Sequence, residues 1–215
     1  MKNRKVNGMK IGVIGATGKA GDLIAKELTD RGHSVTAIVR HPDKLQGDWD
    51  VLEKDLFDLN TDDLTPFDVV VDAFNAPRGQ ENLHKMSIEH LADILKNTHV
   101  RLMVVGGAGS LYVDDHITRL FETPSFPPAF KPTSQAMAES LESLANSDDL
   151  NWTYLSPAPN FIFGGPRKNQ YVLGNDLIMS DKDGKSEISY ADYAIAMADK
   201  IENEEHNREH ISVIW

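Results

Sequence analysis

The chain has 215 residues, enough for one domain with a substantial core, and no cysteine, which excludes disulfides, thiolate metal sites and cysteine nucleophiles. Its 22 basic residues against 33 acidic ones leave a net charge of −11, the wrong sign for a protein that grips a nucleic-acid backbone. No apolar run reaches the roughly twenty residues of a membrane span, and the basic, polar opening lacks the apolar core of a signal peptide, so residues 1–8 read as a flexible extension, 9–215 as a single domain and the chain as cytoplasmic.

Met9 to Ile14 is a short apolar strand that runs into Gly15-Ala16-Thr17-Gly18, after which a helix is predicted from Lys19 to Arg31. The spacing Gly15-x-x-Gly18-x-x-Gly21 allows a sharp turn, a close approach of backbone N–H groups to a phosphate, and tight packing of helix on strand. The helix start then offers unpaired N–H groups and partial positive charge to an anion. In this strand–turn–helix setting the glycines indicate a dinucleotide pyrophosphate site; a tight turn without a ligand is the alternative.

Arg31-Gly32-His33 stops the helix, and the β-branched strand Ser34 to Val39 ends on Arg40, 22 residues after Gly18. An acid at that position binds the 2′-hydroxyl of NAD, whereas arginine accommodates the 2′-phosphate of NADP. Lys44 is within reach of the same phosphate. NADP(H) is therefore expected, with NAD(H) as the alternative, and with Arg40 otherwise a solvated loop residue. Asp50 to Lys54 reads as a third strand with Asp55-Leu56 at its end, where Asp55 either edges the adenine or caps a turn.

Phe67 to Ala73 is a strand buried on both faces, followed by the loop Phe74-Asn75-Ala76-Pro77-Arg78 and a helix from about Asn82 to Asn97 with Leu83, Met86, His90, Ala92, Ile94 and Leu95 toward one side. His84 and His90 read as surface or core-edge residues, and no metal site is expected. The fifth strand, Val100 to Val105, ends in Gly106-Gly107-Ala108-Gly109-Ser110, where the glycines imply close approach and Ser110 is either a hydroxyl facing a cofactor or substrate or an ordinary turn serine. The proline-rich, aromatic connection Leu111 to Lys131 is long enough to cover a site or carry a small helix.

A helix over Ser134 to Ser147, with Ala136, Met137, Leu141, Leu144 and Ala145 as its stripe, leads to a sixth strand, Asn151 to Leu155, and to Ser156-Pro157-Ala158-Pro159. The β–α alternation then breaks down. Ser189 caps a helix that runs to about Asn203 and buries Tyr193, Ile195, Met197 and Ile201, with Asp192 completing a capping-box-like pair. His210 to Trp215 is a final strand, and His206 and His210 straddle a junction that is a poor metal site. The architecture predicted is a doubly wound α/β parallel-sheet Rossmann fold whose C-terminal part, from about residue 157, forms a small lid on the substrate side.

With these residues in view, the chain resembles the atypical short-chain dehydrogenase/reductase proteins with an NmrA-like, NAD(P)-binding Rossmann domain, and most nearly the NADH-flavin reductase group related to biliverdin-IXβ (flavin) reductase. The carriers are GATGKAG, RGHSVTAIVR into Arg40, the strand end at Asp55, GGAGS, SPAPNF, Tyr171-Val172-Leu173-Gly174 and ISYADYA, spanning Met9 to Ile214. The resemblance implies that Gly15, Ala16, Thr17, Gly18, Lys19 and Ala20 hold the pyrophosphate and that Arg40 and Lys44 hold the 2′-phosphate. It places Asp55 and Leu56 at the adenine, Phe74, Asn75 and Ala76 along the ribose path, and Ala108, Ser110 and Pro157 near the nicotinamide. Tyr112 and the Pro159 to Pro166 loop, with Asn160 and Phe161, would border the substrate, and Ser110 is the one candidate catalytic group.

Ordinary short-chain dehydrogenases activate a tyrosine with a lysine four residues on. The tyrosines here are Tyr112, Tyr154, Tyr171, Tyr190 and Tyr193, and His116, Ala158, Asn175, Ala194 and Met197 stand four residues later. Flavin reduction needs no such acid, because solvent can supply the proton and the protein's share is orientation and exclusion of water. An NADPH-dependent reductase of a flavin or quinone-like acceptor, with flavin as substrate and the protein a monomer or homodimer, is the leading expectation. An NADP(H)-binding redox sensor without turnover ranks second, and an epimerase or dehydratase third.

Overall fold

Alternation within the apolar runs is what builds the sheet. A computed structural model describes residues 8–215, and in it β1 (Lys10–Ile14) sends Ile11 and Val13 to one face and Ile14 to the other, as β4 (Val69–Asp72) does with Val69 and Val71 against Val70. Such strands can sit only where both faces are covered. With β2 (Ser34–Val39), β3 (Asp50–Glu53), β5 (Arg101–Val105) and β6 (Asn151–Pro157) they pair in parallel in the order β3-β2-β1-β4-β5-β6. The order reverses direction between β1 and β4, leaving a crevice outside their carboxyl ends.

Helix α1 (Lys19–Asp30) packs with α5 (Tyr190–Asn203) on one face, where Ile24, Leu28, Tyr193, Met197 and Ile201 join one core. Helices α3 (Leu83–Leu95) and α4 (Lys131–Ala145) cover the other, where Ile88, Leu91, Leu95, Leu141 and Leu144 meet Val70, Leu102, Val104 and Tyr154. A single helical turn, α2 (Thr61–Leu64), connects toward β4.

Two helix faces differ from the periodicity reading. On α3 the buried stripe is His84, Ser87, Ile88, Leu91 and Leu95, while Met86 is exposed, because the burial of two polar residues shifts the inner face by about one position. On α4 the buried residues are Ala136, Ala138, Ser140, Leu141 and Leu144, and Ala145 is exposed. That helix also begins earlier than read, at Lys131, with Pro132 in its first turn, where no backbone N–H is needed.

The C-terminal third divides. β7 (Asn160–Ile162) pairs in parallel with β9 (Glu187–Ser189) as a separate two-stranded sheet beyond the end of β6. β10 (Glu209–Ile214) instead joins the main sheet beside β6, and β8 (Val172–Gly174) closes the edge antiparallel to β10, making eight strands in that sheet among the described residues. The flexible extension expected over 1–8 lies, Gly8 apart, outside the described residues.

Candidate functional site

The turn after β1 is held by its own backbone. Gly15 has φ +76°, a Cβ there would lie 2.7 Å from the Ala73 carbonyl oxygen, and one on Gly21 would lie 2.3 Å from the Gly15 carbonyl oxygen. Both positions therefore exclude a side chain. The Gly18 N–H donates to the Gly15 carbonyl at 2.9 Å, and Gly18 enters α1 with no side-chain cap, so the first-turn N–H groups of a twelve-residue helix face outward.

A cavity of about 380 Å³ opens directly beside this turn, at the reversal of strand order. The glycine turn (Gly15, Thr17, Gly18), the hydrophobic residues Leu56, Phe57, Phe74 and Leu83, and the cationic residues Arg40 and Lys54 all line it. Arg40, its side chain 63% exposed, lies with Nη1 3.6 Å from Asp55 Oδ2. Asp55 also accepts from the Phe57 N–H at 2.9 Å, so it caps a 3₁₀ turn, the second of its two sequence readings, and it lines the cavity as well. Lys54 Nζ is 2.7 Å from Asp63 Oδ2, and Asp63 in turn belongs to a capping box with Asn60.

The loop Phe74-Asn75-Ala76 is anchored by two side chains to which the sequence reading gave no role at the site. The Asp72 carboxylate accepts from the Phe74 N–H at 3.0 Å, and His84 Nε2 accepts from the Ala76 N–H at 3.4 Å. Both are buried. Burial pushes the Asp72 carboxyl up to about 6 and holds the His84 imidazole below its ordinary value, which keeps His84 neutral and able to accept. Asp72 was legible as the acid ending a run of valines; His84, read as a surface or core-edge residue, is buried, but no spacing in the sequence pointed to its bond with Ala76.

Of the residues singled out in the sequence, Gly15, Thr17, Gly18, Arg40, Asp55, Leu56, Phe74 and Asn75 line this cavity, as does Pro77 of the same loop, together with Lys54, Phe57, Gln80 and Leu83, which were missed. The remainder lie elsewhere. Ala16 is fully buried in the core under α1, Lys44 is exposed in a 3₁₀ turn, and Lys19 extends its Nζ to 4.6 Å from the centre of the Phe163 ring. Ala20 lies half-buried on the first turn of α1. Ala76, bonded to His84, stands just behind the lining residues. Ala108 and Ser110 form a 3₁₀ turn after β5, and the Ser110 hydroxyl is completely buried with no hydrogen-bond partner. Pro157 is buried at the end of β6. Tyr112 packs under the Arg119 guanidinium, 4.5 Å from its ring centre, while Arg119 donates to the Ser110 carbonyl at 2.6 Å. Asn160 is exposed on β7 and donates to Glu187 at 3.1 Å, and Phe161 lies flat on Tyr190 with ring centres 3.7 Å apart.

The loop beyond β7 is clamped to the body of the fold. Ser189 Oγ accepts from the Asp192 N–H at 3.1 Å, but the Asp192 carboxylate does not return to the Ser189 backbone as the capping-box spacing suggested. It accepts instead from the Lys168 and Asn169 N–H groups, both at 2.9 Å, and from Trp215 Nε1 at 2.6 Å. Arg167 adds an ion pair to Glu27 on α1 at 2.6 Å.

A row of paired residues crosses the sheet from Ile14 through Asp72, Val104 and Tyr154 to His210. Burial pushes the Tyr154 hydroxyl up to about 12, and burial, reinforced by Arg119, drives His210 down to about 3. His210 Nε2 lies 2.8 Å from Ser156 Oγ, which itself donates to the Gly107 carbonyl at 2.9 Å, so the imidazole donates to the serine as a neutral ring. Tyr193, Tyr171 and Tyr190 are likewise pushed up, burial leading in each case. Among the described residues no group of three or more histidines and carboxylates is arranged to hold a metal ion, and no helix is long and apolar enough to cross a membrane.

Comparison with known proteins agrees with this geometry. A protein of Bacillus subtilis, YwnB, is 50% identical over 209 residues, covering 96% of this chain and 98% of its own. A structure from Streptococcus pneumoniae, named as a candidate NADH-flavin reductase, superposes with a TM-score of 0.93 at 46% identity, covering 96% of this chain and 99% of that one. Another, from Bacteroides thetaiotaomicron and named as a candidate epimerase, gives a TM-score of 0.85 at 32% identity over 96% of this chain and 97% of its own. The family model described as NAD(P)H-binding matches residues 15–204, and with the glycine turn and its cavity inside that span, the chain belongs to this family of Rossmann-like, oxidoreductase-type proteins.

Proposed function

We propose that the protein is an NADPH-dependent reductase that delivers hydride to a flavin or a similar planar acceptor. The observation that carries the reading is one cavity lined together by the glycine turn at an uncapped helix start, by Arg40 and Lys54, and by an apolar cleft. The cleft suits a flat heteroaromatic base, the glycine turn a pyrophosphate, and the two cations a 2′-phosphate.

In this account the N–H groups of Lys19 and Ala20 and the positive end of α1 take the pyrophosphate charge, the Gly18 N–H being held by the Gly15 carbonyl. Arg40 and Lys54, rather than Arg40 and the outlying Lys44, take the 2′-phosphate, and Leu56, Phe57, Phe74 and Leu83 hold the adenine. Asp72 and His84 fix the loop that the ribose follows. The bound nicotinamide supplies the hydride. The proton comes from solvent, a reading supported by the tyrosines: none of the five has a lysine four residues on, and four of them, Tyr154, Tyr171, Tyr190 and Tyr193, are pushed up by burial, the opposite of what an activating lysine does. The same observation weighs against an epimerase or dehydratase that must move a proton on and off carbon or oxygen. Ser110, fully buried after β5 and not lining the cavity, is given no chemical role in this account.

Steady-state oxidation of NADPH with FMN, FAD or a quinone in excess tests the reading. Acceptor-dependent loss of reduced-nicotinamide absorbance is expected. Tight NADPH binding with no turnover on any acceptor would replace the reductase by a redox sensor.

A further inference from the structure

We propose that the exposed ring of Phe163 is the stacking face for the planar acceptor and that Lys19 links this face to the cofactor; the inference rests on the reductase reading above. Phe163 is 56% exposed in the loop that follows β7. Exposed phenylalanines are common on protein surfaces, but this one is braced from behind. Tyr190 meets it edge-on, with ring centres 5.5 Å apart at 85°, Phe161 lies flat on Tyr190 at 3.7 Å and 8°, and Phe161 leans on Tyr193 at 5.0 Å. Tyr193 is fully buried and donates its hydroxyl to the Leu155 carbonyl of β6 at 2.7 Å. The exposed ring is thus the end of an aromatic stack rooted in the sheet, a rigid support for a second flat ring.

Over the ring stands the ammonium of Lys19, 4.6 Å from its centre. Lys19 is the first residue of α1, so its backbone belongs to the anion-binding end of the helix while its charge rests on Phe163. A phosphate offers that ammonium charge-assisted hydrogen bonds, which are stronger than attraction to an exposed ring. Cofactor binding therefore draws Lys19 off Phe163 and bares the ring, and the acceptor follows the cofactor in order. The linkage requires only that the two ligands compete for, or release, one side chain.

Quenching of FMN fluorescence by the full-length protein, with and without saturating NADP+, reads this directly and without turnover. Wild type should bind FMN about three- to tenfold more tightly with NADP+ present. Phe163→Leu should lose about the same factor in FMN affinity while keeping its NADP+ affinity, and Phe163→Tyr should restore it. Lys19→Ala should bind FMN equally with and without NADP+. FMN affinity in Phe163→Leu within twofold of wild type, or a parallel loss of NADP+ affinity, overturns the stacking face; an undiminished NADP+ effect in Lys19→Ala overturns the link. If wild type binds FMN in this way yet oxidises no NADPH, the reductase reading falls and the stacking face stands. If turnover is intact and Phe163→Leu binds FMN normally, the stacking face falls and the reading stands. FMN neither bound nor reduced removes both.

Discussion

Asp72 sits where three valines lead one to expect a fourth, and its burial makes stability depend on pH in an unusual way. Its carboxyl is pushed up to about 6, from 3.8, so between about pH 4 and 6 the folded chain holds a proton that the unfolded chain has lost. Stability from this residue is full below pH 4 and falls as pH rises through 6, by roughly 3 kcal/mol. His210, driven from 6.5 down to about 3, acts oppositely: the unfolded chain binds its proton first, and stability is lost as pH falls from about 6.5 to 3. Over pH 4 to 6 the two slopes oppose each other. Urea unfolding across that window should show stability rising with pH more steeply in Asp72→Asn than in wild type, and less steeply or in reverse in His210→Gln. Curves for all three that run parallel would contradict the assignment. Arg40 carries the cofactor preference at the same scale. Arg40→Asp should weaken NADPH about ten- to a hundredfold, the worth of one charge-assisted phosphate contact, while leaving NADH within a few-fold in titrations by nicotinamide fluorescence. Equal losses for both would mean that Arg40 does not meet the 2′ position.

Elements here are shaped by partners far away in sequence, and this is where reading along the chain gave out. The spacing of Ser189 and Asp192 correctly signalled a helix start, yet the carboxylate it assigned to the cap serves two N–H groups more than twenty residues earlier and an indole 23 residues later. Spacing sees only local competition for a backbone group; it cannot see a loop arriving from elsewhere. Likewise the stripe on α3 was placed about one position away, without His84 and Ser87, each of which has a backbone partner that makes burial cheap. The glycine turn was fully legible because its constraint is local: a positive φ and two backbone contacts leave no room for a Cβ. The Asp192 clamp makes an element-scale prediction. Asp192→Ala leaves three donors at a partly buried site without their acceptor and should cost about 2 kcal/mol in urea unfolding, with faster proteolysis within residues 163–171. An unchanged cleavage rate there would show that the clamp does not hold the loop.

At the scale of the whole molecule, the parallel half of the sheet and the site it creates follow from one arrangement. Strand order turns back between β1 and β4, and the cavity opens where the turn after β1 faces the loop after β4, with the end of β2 contributing Arg40. That much was readable from alternating apolar runs and glycine punctuation. The return of β10 to the main sheet and the antiparallel edge strand β8 were not, since a three-residue strand such as Val172–Gly174 carries no periodicity and takes its place only by pairing with β10. The division nonetheless matters to the proposed chemistry, because it leaves β7, β9 and the loop bearing Phe163 as a separate structure beside the anion-binding end of α1.

The central claim is that hydride leaves a cofactor held in this cavity for a flat acceptor beside it. Anaerobic single-turnover mixing of the protein and NADPH with FMN tests that claim most directly, following nicotinamide and flavin absorbance together. The account predicts that both bleach at one shared rate, that NADH is slower, and that Arg40→Asp abolishes the advantage of NADPH. Nicotinamide absorbance that persists while NADPH is bound, or bleaching no faster than in the absence of protein, would contradict it.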